Sequence, residues 1–416
     1  MNGPVAYLVG TAREHVIDPE TLHDVPTHPA ELAAWVAAAR DVPLPSDLVA
    51  LRRHHTEVGV AARLAGDLAL AERELTMAAK LATGESPTAV LRARIRLAHV
   101  WQWQGRYAEA TEELANCVAD AATPADRAFA HQHAGKCAYD TGDVDRAAAH
   151  FQAALRLRLA SGADRDLLES SRVALDSADA CRTAIAMAAE LDRLVPAGHR
   201  GIKAALVAGG WLPERPPHFG VLVELRSLLL AGPVGVDVVA GLFRYQPRID
   251  LAIGDLVAGG WLVRSAGAIA ATSRCMTALA ALMAAAGRAL VDLWGAPEDA
   301  LDRMDEVVAG ALGTSAGPVF DALATVDTNA PAAVRLFERC NALRHHRADG
   351  HAAAWWAVGL APTAVTNVPP HDPVRRQVET ATNRIAARPY RPLTSHERAE
   401  LVALLRSLPD QPPVLP

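Results

Sequence analysis

The densest cluster of chemically versatile side chains is segment 343–351, which reads LRHHRADGH. In a helix, which turns about 100° per residue, Arg344, Arg347 and His351 fall on one stripe. The same stripe carries three apolar residues: Phe337, Cys340 and Trp355. Burying two guanidinium groups and an imidazole is unfavourable unless partners satisfy them. The stripe therefore predicts either internal carboxylate partners or a bound anionic ligand.

The sequence offers three carboxylates as internal partners for this stripe: Asp321, Glu338 and Glu379. On the neighbouring stripe, His345 and Asp349 stand one turn apart, close enough to hydrogen-bond. Two histidines that share a metal on a helix stand four residues apart, whereas His345 and His346 precede His351 by six and five. We therefore predict no metal and no cofactor. No local motif indicates a Ser-His-Asp or Cys-His catalytic arrangement, although its members need only meet in space.

Segment 342–355, together with 379–384 and Pro389-Tyr390, resembles a group of actinobacterial MarR-like proteins. The resemblance carries no activity. It implies a shared ligand pocket formed by six residues: Arg344, Arg347, Asp349, His351, Glu379 and Asn383. The alternative is that these side chains form a polar network that joins two helices.

A long helix must present these side chains. Asn329-Ala330-Pro331 predicts its start, and the helical pattern continues to Gly359, which is typical of a helix end. Thr394-Ser395-His396-Glu397 is a capping box that predicts a further helix to Leu408. Residues 311–416 are therefore predicted to form a C-terminal helical segment.

The middle of the chain has the order helix, helix, helix, hairpin, long helix. The predicted helices run from Phe219 to Ala231, Val236 to Phe243, Arg248 to Ala258, and Ser273 towards Trp294. Trp261-Leu262-Val263 and Ile269 to Thr272 are short strand candidates around the turn Ser265-Ala266-Gly267. This order resembles a winged helix-turn-helix domain, and the long last helix resembles that of the MarR-like regulators. The resemblance implies a homodimer that binds DNA.

The charge of this predicted domain is unusual for a DNA-binding module. Residues 219–310 hold seven arginines and ten acidic residues, a net charge of −3, whereas such modules are usually basic. The predicted recognition helix offers Arg248 beside two aspartates. A dimer could still align three arginines against phosphates: Arg244, Arg248 and Arg264. The alternative is a packing or dimerisation module that does not contact DNA.

The first half of the chain repeats a helical unit. Gly66, Gly105 and Gly142 recur at intervals of 39 and 37 residues, and a small residue stands seven positions before each: Gly59, Ala98 and Gly135. Small residues let helices cross closely, which matters because one hairpin cannot bury its apolar stripe alone. The pattern resembles the tetratricopeptide repeat over residues 46–160. We predict a fourth hairpin from Asp164 to Leu194 and a capping helix from Pro29 to Arg40.

In the tetratricopeptide family the first helix of each hairpin faces a groove. The resemblance implies eight groove residues: Arg53, Arg63, Arg92, His99, Gln102, Trp103, Lys136 and Tyr139. A basic and aromatic lining suits a carboxylate or an acidic peptide segment of a protein partner. The alternative is that these are solvated helix faces without a ligand.

Composition limits the remaining choices. With 51% hydrophobic and 21% charged residues, the chain is globular rather than disordered. A net charge of −6 argues against adhesion to nucleic acid or membrane as its main role. Five scattered cysteines without a C-x-x-C pair predict neither disulfides nor a zinc site. Without a long apolar stretch or a secretory start, we expect a cytoplasmic protein with no membrane contact.

Together these patterns predict a mainly α fold with five parts: an N-terminal cap (1–45), a tetratricopeptide-like array (46–198), a linker (199–218), a winged-helix domain with a small β-wing (219–310) and the C-terminal helical segment (311–416). The leading functional hypothesis is a transcription regulator that responds to a ligand or a partner. One alternative is an enzyme or small-molecule-binding protein of bacterial secondary metabolism, with a pocket around Arg344, Arg347 and His351. The other is a pure protein-interaction scaffold.

Overall fold

The computed structural model describes residues 14–208, 216–246, 248–313, 317–325 and 329–411. Residues 209–215 of the predicted linker and residues 412–416 of the predicted C-terminal segment lie outside these ranges. The described part of the chain is mainly α, as predicted, with seventeen α-helices and five short strands. The chain divides into two compact units, Met1–Asp179 and Ala180–Pro416.

The first unit opens with a two-stranded antiparallel hairpin that the sequence did not predict, formed by β1 (His15–Ile17) and β2 (Asp24–Pro26). Seven helices follow: α1 (Pro29–Ala39), α2 (Leu48–Leu64), α3 (Leu68–Ala82), α4 (Pro87–Trp103), α5 (Tyr107–Asp120), α6 (Pro124–Asp140) and α7 (Val144–Ala160). The helices of each pair from α2 to α7 are joined at Gly66, Gly105 or Gly142. These glycines have φ of +84°, +77° and +83°, values that other residues adopt only with strain.

Close approach within the pairs explains two of the predicted small residues. A Cβ atom on Gly59 would lie 2.6 Å from Cγ of Leu75, and one on Gly135 would lie 2.5 Å from Cε1 of Phe151. Both distances are far shorter than van der Waals contact, so a larger residue would push the two helices apart. The glycines therefore set how closely α2 packs on α3 and α6 on α7.

The predicted fourth hairpin from Asp164 to Leu194 is wrong. Residues Arg165–Ala208 form one continuous helix of 44 residues, α8, which contains Pro196. The helix continues through the segment where the hairpin turn was predicted, and no residue within it adopts a positive φ. The division between the two units falls inside α8, and residues 199–208 of the predicted linker are helical.

The second unit continues with α9 (Phe219–Ala231), β3 (Val234–Gly235), α10 (Val236–Leu242), α11 (Ile249–Ala258), β4 (Leu262–Ser265), β5 (Ala268–Ala271) and α12 (Ser273–Trp294). The strands form an antiparallel sheet in the order β3-β5-β4, with Leu262 opposite Ala271. Ala266 and Gly267 make the turn between β4 and β5 with φ of +42° and +81°. Apart from β3, which the sequence did not predict, these elements lie within two residues of their predicted bounds.

Five more helices complete the second unit: α13 (Glu298–Gly310), α14 (Pro318–Ala324), α15 (Ala332–Ala357), α16 (Pro373–Ala386) and α17 (Ser395–Ser407). Short 3₁₀ turns lie at Pro362–Thr366 and Arg388–Tyr390. The predicted capping box is present, because Thr394 and Glu397 each accept from the other's backbone N–H. Helix α15 packs against α12, α13, α14 and α16, so its apolar residues are buried on several sides.

Helix α12 is, by length and composition alone, apolar enough to cross a membrane, as the core helix of a soluble protein can also be. It buries Leu279, Leu282 and Leu290 inside the second unit. This packing accounts for its apolar composition without a membrane.

Candidate functional site

A cavity of about 800 Å³ lies in the second unit, and we call it the α15 cavity. Its walls come from α8, α9, α15, α16 and the turn between α10 and α11. The turn contributes Leu242, Phe243, Arg244, Tyr245 and Gln246, and α15 contributes Arg344, His345, Arg347, Ala348 and His351. Segment 343–351 on α15 thus faces the turn between α10 and α11.

The structure brings the six predicted pocket residues together. Arg344, Arg347, His351 and Glu379 line the cavity directly. Arg347 donates from Nη1 to Oδ1 of Asn383 at 2.7 Å and from Nη2 to Glu379. Glu379 is therefore the internal carboxylate partner of Arg347, as the sequence predicted.

The sixth residue, Asp349, forms an ion pair with Arg244 on the α10–α11 turn. The side chain of Arg244 is only 12% exposed. This pair links α15 to the turn by an interaction that is largely shielded from solvent, where it is stronger than a surface pair.

The protonation of His351 follows from its neighbours. The indole N–H of Trp355 donates to Nε2 of His351 at 3.1 Å, and Tyr245 Oη lies 2.8 Å from Nδ1. Because the indole can only donate, Nε2 carries no proton, and the neutral ring holds its proton on Nδ1 and donates it to Tyr245. Burial lowers the pKa of His351, and the charge of Arg347 lowers it further against the opposing charge of Glu379. The second contact between α15 and the turn is thus made by a neutral imidazole.

Two predictions about partners on α15 are wrong. His345 does not bond to Asp349: its Nε2 lies 2.9 Å from Oε1 of Glu224 on α9. Burial raises the pKa of Glu224, but the hydrogen bond and charge of His345 outweigh this and lower it to about 2. The reason for the error is that α9 covers this face of α15, which helical spacing alone does not reveal.

Glu338 is also not a partner of the stripe. Oε1 of Glu338 instead accepts from Nε of Arg226 at 2.7 Å, and both side chains are almost fully buried. This ion pair joins α9 to α15. Arg226 lies in a mostly apolar helix, a signal that could have indicated a buried partner.

Arg344 is the least satisfied cation facing the α15 cavity. Its Nε is buried without a hydrogen-bond partner among the described residues, and its nearest carboxylate oxygen, on the exposed Asp192, lies 3.5 Å away. The cavity as a whole is balanced, with three arginines and three carboxylates in its walls: Arg244, Arg344, Arg347, Asp192, Glu224 and Glu379. Such walls suit a polar molecule, and Arg344 offers a place for one negative group.

The three arginines predicted to contact DNA have different surroundings. Arg248, at the start of α11, and Arg264, on β4, are exposed. Arg244 is paired with Asp349 and faces the cavity. The exposed face of α11 carries no cation: Asp250, Leu251, Gly254, Asp255 and Ala258. Phosphate contacts by this region would therefore come from Arg248 and Arg264.

Part of the predicted groove of the first unit is filled by the N-terminal hairpin. Asp24 on β2 accepts hydrogen bonds from Arg63 Nη2 and Lys136 Nζ, both at 3.0 Å. Tyr139 donates its hydroxyl to the backbone oxygen of Glu20 at 3.2 Å. The predicted carboxylate partner of these basic residues is thus present within the chain itself.

The other groove residues are distributed around this contact. Gln102 donates to Asp140 at 2.7 Å, and His99 is buried and accepts from the indole of Trp103. Arg53 and Arg92 line another cavity of about 340 Å³, where Nε of Arg92 donates to Asp126 at 2.9 Å. The predicted groove residues therefore fall into two parts. One part contacts the N-terminal hairpin, and we call it the occupied part. The other, Arg53 and Arg92, lines the second cavity, and we call it the open part.

Within the described residues, no group of three or more His, Cys, Asp or Glu side chains could hold a metal ion. All five cysteines are free and buried. Burial raises the pKa of four of them to about 11 or 12: Cys117, Cys181, Cys275 and Cys340. Buried thiols of this kind are poor nucleophiles.

Comparison with known proteins gives one match. Residues 232–370 match a helix-turn-helix family, a range that begins just before β3 and continues beyond the end of α15. No curated protein and no solved structure matches the chain significantly. The second unit therefore contains a helix-turn-helix module, and the family range includes the helix that carries the cavity residues.

Proposed function

We propose that this chain is a cytoplasmic, DNA-binding transcription regulator whose helix-turn-helix module responds to a small molecule in the α15 cavity. The observation that carries this proposal is that the cavity wall includes the turn between α10 and α11. A ligand in the cavity would contact the segment that positions α11. DNA affinity would then depend on whether the cavity is filled.

The coupling would pass through two contacts from α15 to the turn. Asp349 forms an ion pair with Arg244, and His351 forms a hydrogen bond with Tyr245. An anionic ligand bound at Arg344 would sit beside both contacts. If the ligand binds more tightly to one position of the turn than to another, it shifts DNA affinity by the same factor.

We propose further that α9 to α12 and the three-stranded sheet form a winged helix that binds DNA as a homodimer. The antiparallel β4–β5 hairpin would be the wing, with exposed Arg264 near its tip. Arg248 would contact phosphate at the start of α11. This assignment is supported by the order of the elements and, from β3 to α12, by the family match.

The test is binding of the full chain to DNA from upstream of its own and neighbouring genes, measured by fluorescence anisotropy against scrambled DNA. Each phosphate contact contributes about 0.9 to the slope of log K against log salt concentration. Arg248→Gln and Arg264→Gln should each reduce the slope by about 0.9 per bound protomer. Arg288→Gln, an exposed change on α12, is the matched control. Binding without sequence preference at moderate salt would contradict the proposal.

A second candidate is an enzyme or small-molecule-binding protein whose helix-turn-helix module does not contact DNA. It is favoured by the two aspartates on the exposed face of α11 and by the His351–Tyr245 pair in the cavity. In that case His351→Ala or Arg347→Ala would abolish ligand binding or turnover without changing helical content, and no DNA fragment would bind. Loss of folding in these variants would instead indicate a structural network.

The helices of the first unit suggest a third role. We propose that α2 to α7 form a tetratricopeptide-like array whose open part, at Arg53 and Arg92, receives an acidic peptide of a protein partner. For a pure scaffold, Arg92→Ala would weaken capture of that partner, whereas His351→Ala would not. Affinity purification with both variants separates this role from the other two.

A further inference from the structure

The first unit contains a cavity of about 230 Å³ beneath the N-terminal hairpin, which we call the basic cavity. At about 30 Å³ per water molecule, it has room for roughly eight waters or for one small organic molecule. Four cationic side chains line it: Arg63, Arg96, Lys136 and Arg158. Among the described residues of the lining, Asp24 is the only carboxylate, so the walls carry a formal charge of +3.

This excess of positive charge is local. Residues 1–198 contain 20 basic and 27 acidic residues, so the surrounding sequence is strongly acidic. Residues 1–13, whose structure is not described, contain no Asp or Glu. The first unit therefore has no further carboxylate outside its described residues that could neutralise the cavity.

Two of the four cations have no carboxylate partner among the described residues. Arg96 donates to the backbone oxygen of Arg92 at 3.4 Å, and its guanidinium lies 5.7 Å from the ring centre of Phe129. Arg158 donates only to uncharged groups, among them the hydroxyl of Ser171 at 2.8 Å. Burial lowers the pKa of Arg96 and of Arg158 to about 10. Arg158 is buried and Arg96 is half-buried, so both charges are partly desolvated without a carboxylate beside them, which is unfavourable unless an anion neutralises them.

Unsatisfied polar atoms point to the same site. Arg63 is 6% exposed and has a partner for Nη2, but its Nη1 is buried without a hydrogen bond. Nδ1 of His133, another lining residue, is also buried and unsatisfied. Burial and the charges of Lys136 and Arg63 hold the pKa of His133 well below its usual range, so this ring is neutral. A neutral imidazole can donate to or accept from a ligand without adding charge.

We propose that the basic cavity binds a small organic molecule with at least two negatively charged groups, carboxylate or phosphate. Asp24 already neutralises one charge beside Arg63 and Lys136, and the ligand would neutralise the charges at Arg96 and Arg158. This site lies entirely within the first unit. It does not depend on DNA binding by the second unit, so the two proposals succeed or fail separately.

The test is calorimetric titration of the full chain with three probes: inorganic pyrophosphate, succinate and the uncharged succinamide. We expect pyrophosphate or succinate to bind at least 10-fold more tightly than succinamide, because hydrogen bonds to charged groups contribute most of the affinity. Preference for pyrophosphate would identify phosphate as the recognised group, and preference for succinate would identify carboxylate. If neither anion binds more tightly than succinamide, the proposal is wrong.

Variants locate the binding site. Arg96→Gln should weaken binding of the preferred anion at least 10-fold, and Arg96→Lys, which keeps the charge, should restore most of it. Arg156→Gln, an exposed change on α7, removes the same charge outside the cavity and should leave affinity within 2-fold. Equal weakening by Arg96→Gln and Arg156→Gln would show that only overall charge matters, which would overturn the assignment. Circular dichroism of each variant confirms that the fold is retained.

Discussion

Replacing Asp24 by alanine removes the only carboxylate among the described residues that line the basic cavity. In the native protein Asp24 accepts from Arg63 and Lys136 at 3.0 Å, and the three side chains are 11%, 7% and 6% exposed. Removing one partner of a buried ion pair costs about 3–5 kcal/mol, because the remaining charges stay buried without compensation. The hairpin that carries Asp24 should therefore detach from the helices far more often.

Amide hydrogen exchange measures this detachment directly. The hairpin contains protected amides, such as Leu22 N–H bonded to Asp18 at 2.7 Å and Thr27 N–H bonded to Glu14 at 3.0 Å. A loss of about 3 kcal/mol corresponds to exchange roughly 100-fold faster or more, since 1.4 kcal/mol is a factor of ten. Peptides spanning residues 14–27 should show this acceleration by mass spectrometry.

The pH dependence provides an independent check with a fixed sign. Burial raises the pKa of Asp24, but the charges of Lys136 and Arg63 outweigh it and hold this pKa well below 3.8. Its stabilisation is therefore complete above pH 3.8 and declines as the pH falls towards the folded-state pKa. After correction for intrinsic exchange, hairpin protection should decline below pH 3.8 in the native protein but not in Asp24→Ala.

Asp41→Ala, an exposed change after α1, is the control and should leave hairpin exchange unchanged. If Asp24→Ala accelerates exchange by less than about 3-fold, the ion triad contributes less than 1 kcal/mol. That result would refute the argument that burial makes Asp24 essential to the position of the hairpin.

Three further substitutions test the packing and electrostatics of the two units. Gly135→Val places a Cβ that would lie 2.5 Å from a phenyl carbon and should lower the urea midpoint through a loss of about 1–3 kcal/mol, whereas Gly84→Ala, with open space around it, should be neutral. Glu338→Ala leaves the buried charge of Arg226 without a partner and should lower the free energy of unfolding by about 3–5 kcal/mol, measured by thermal unfolding. If adding Arg226→Met restores the stability, the unpaired charge is the cause. Glu224, with a pKa of about 2 against 4.5, contributes stability above pH 4.5 that is lost as the pH falls towards 2, so Glu224→Gln should flatten acid unfolding in that range.

Local signals were sufficient to predict most helices. Phe219–Ala231 and Ser273–Trp294 have the predicted bounds, because Gly232-Pro233 ends the first and Thr272 caps the second. The error at Asp164–Leu194 arose from extending the repeat into a segment that lacks the turn glycine of the three preceding units. The hairpin was missed because its strands are three residues long, too short for a period of two to be recognised.

The candidate site could be predicted only in part. The stripe on α15 and its partners on α16 followed from helical spacing and from a family resemblance. Helical spacing shows which side chains share a face but not which element covers that face. The contacts of His345 with Glu224 and of Asp349 with Arg244 join residues more than 100 positions apart. They depend on how α9 and the α10–α11 turn pack on α15, and a single sequence contains no direct signal for that packing.

The range of the family match bears on how ligand and DNA binding would be coupled. It includes α10, α11 and α15 together, so the helix that faces the cavity belongs to the same module as the proposed DNA-reading helix. In the described structure Arg244 and Tyr245 of the α10–α11 turn both contact α15. In the proposed regulation, a displacement of α15 would reach the turn through these two contacts and α11 through the turn. The proposed regulation requires no movement of the first unit, because the contacts of Arg244 and Tyr245 with α15 both lie within the second unit.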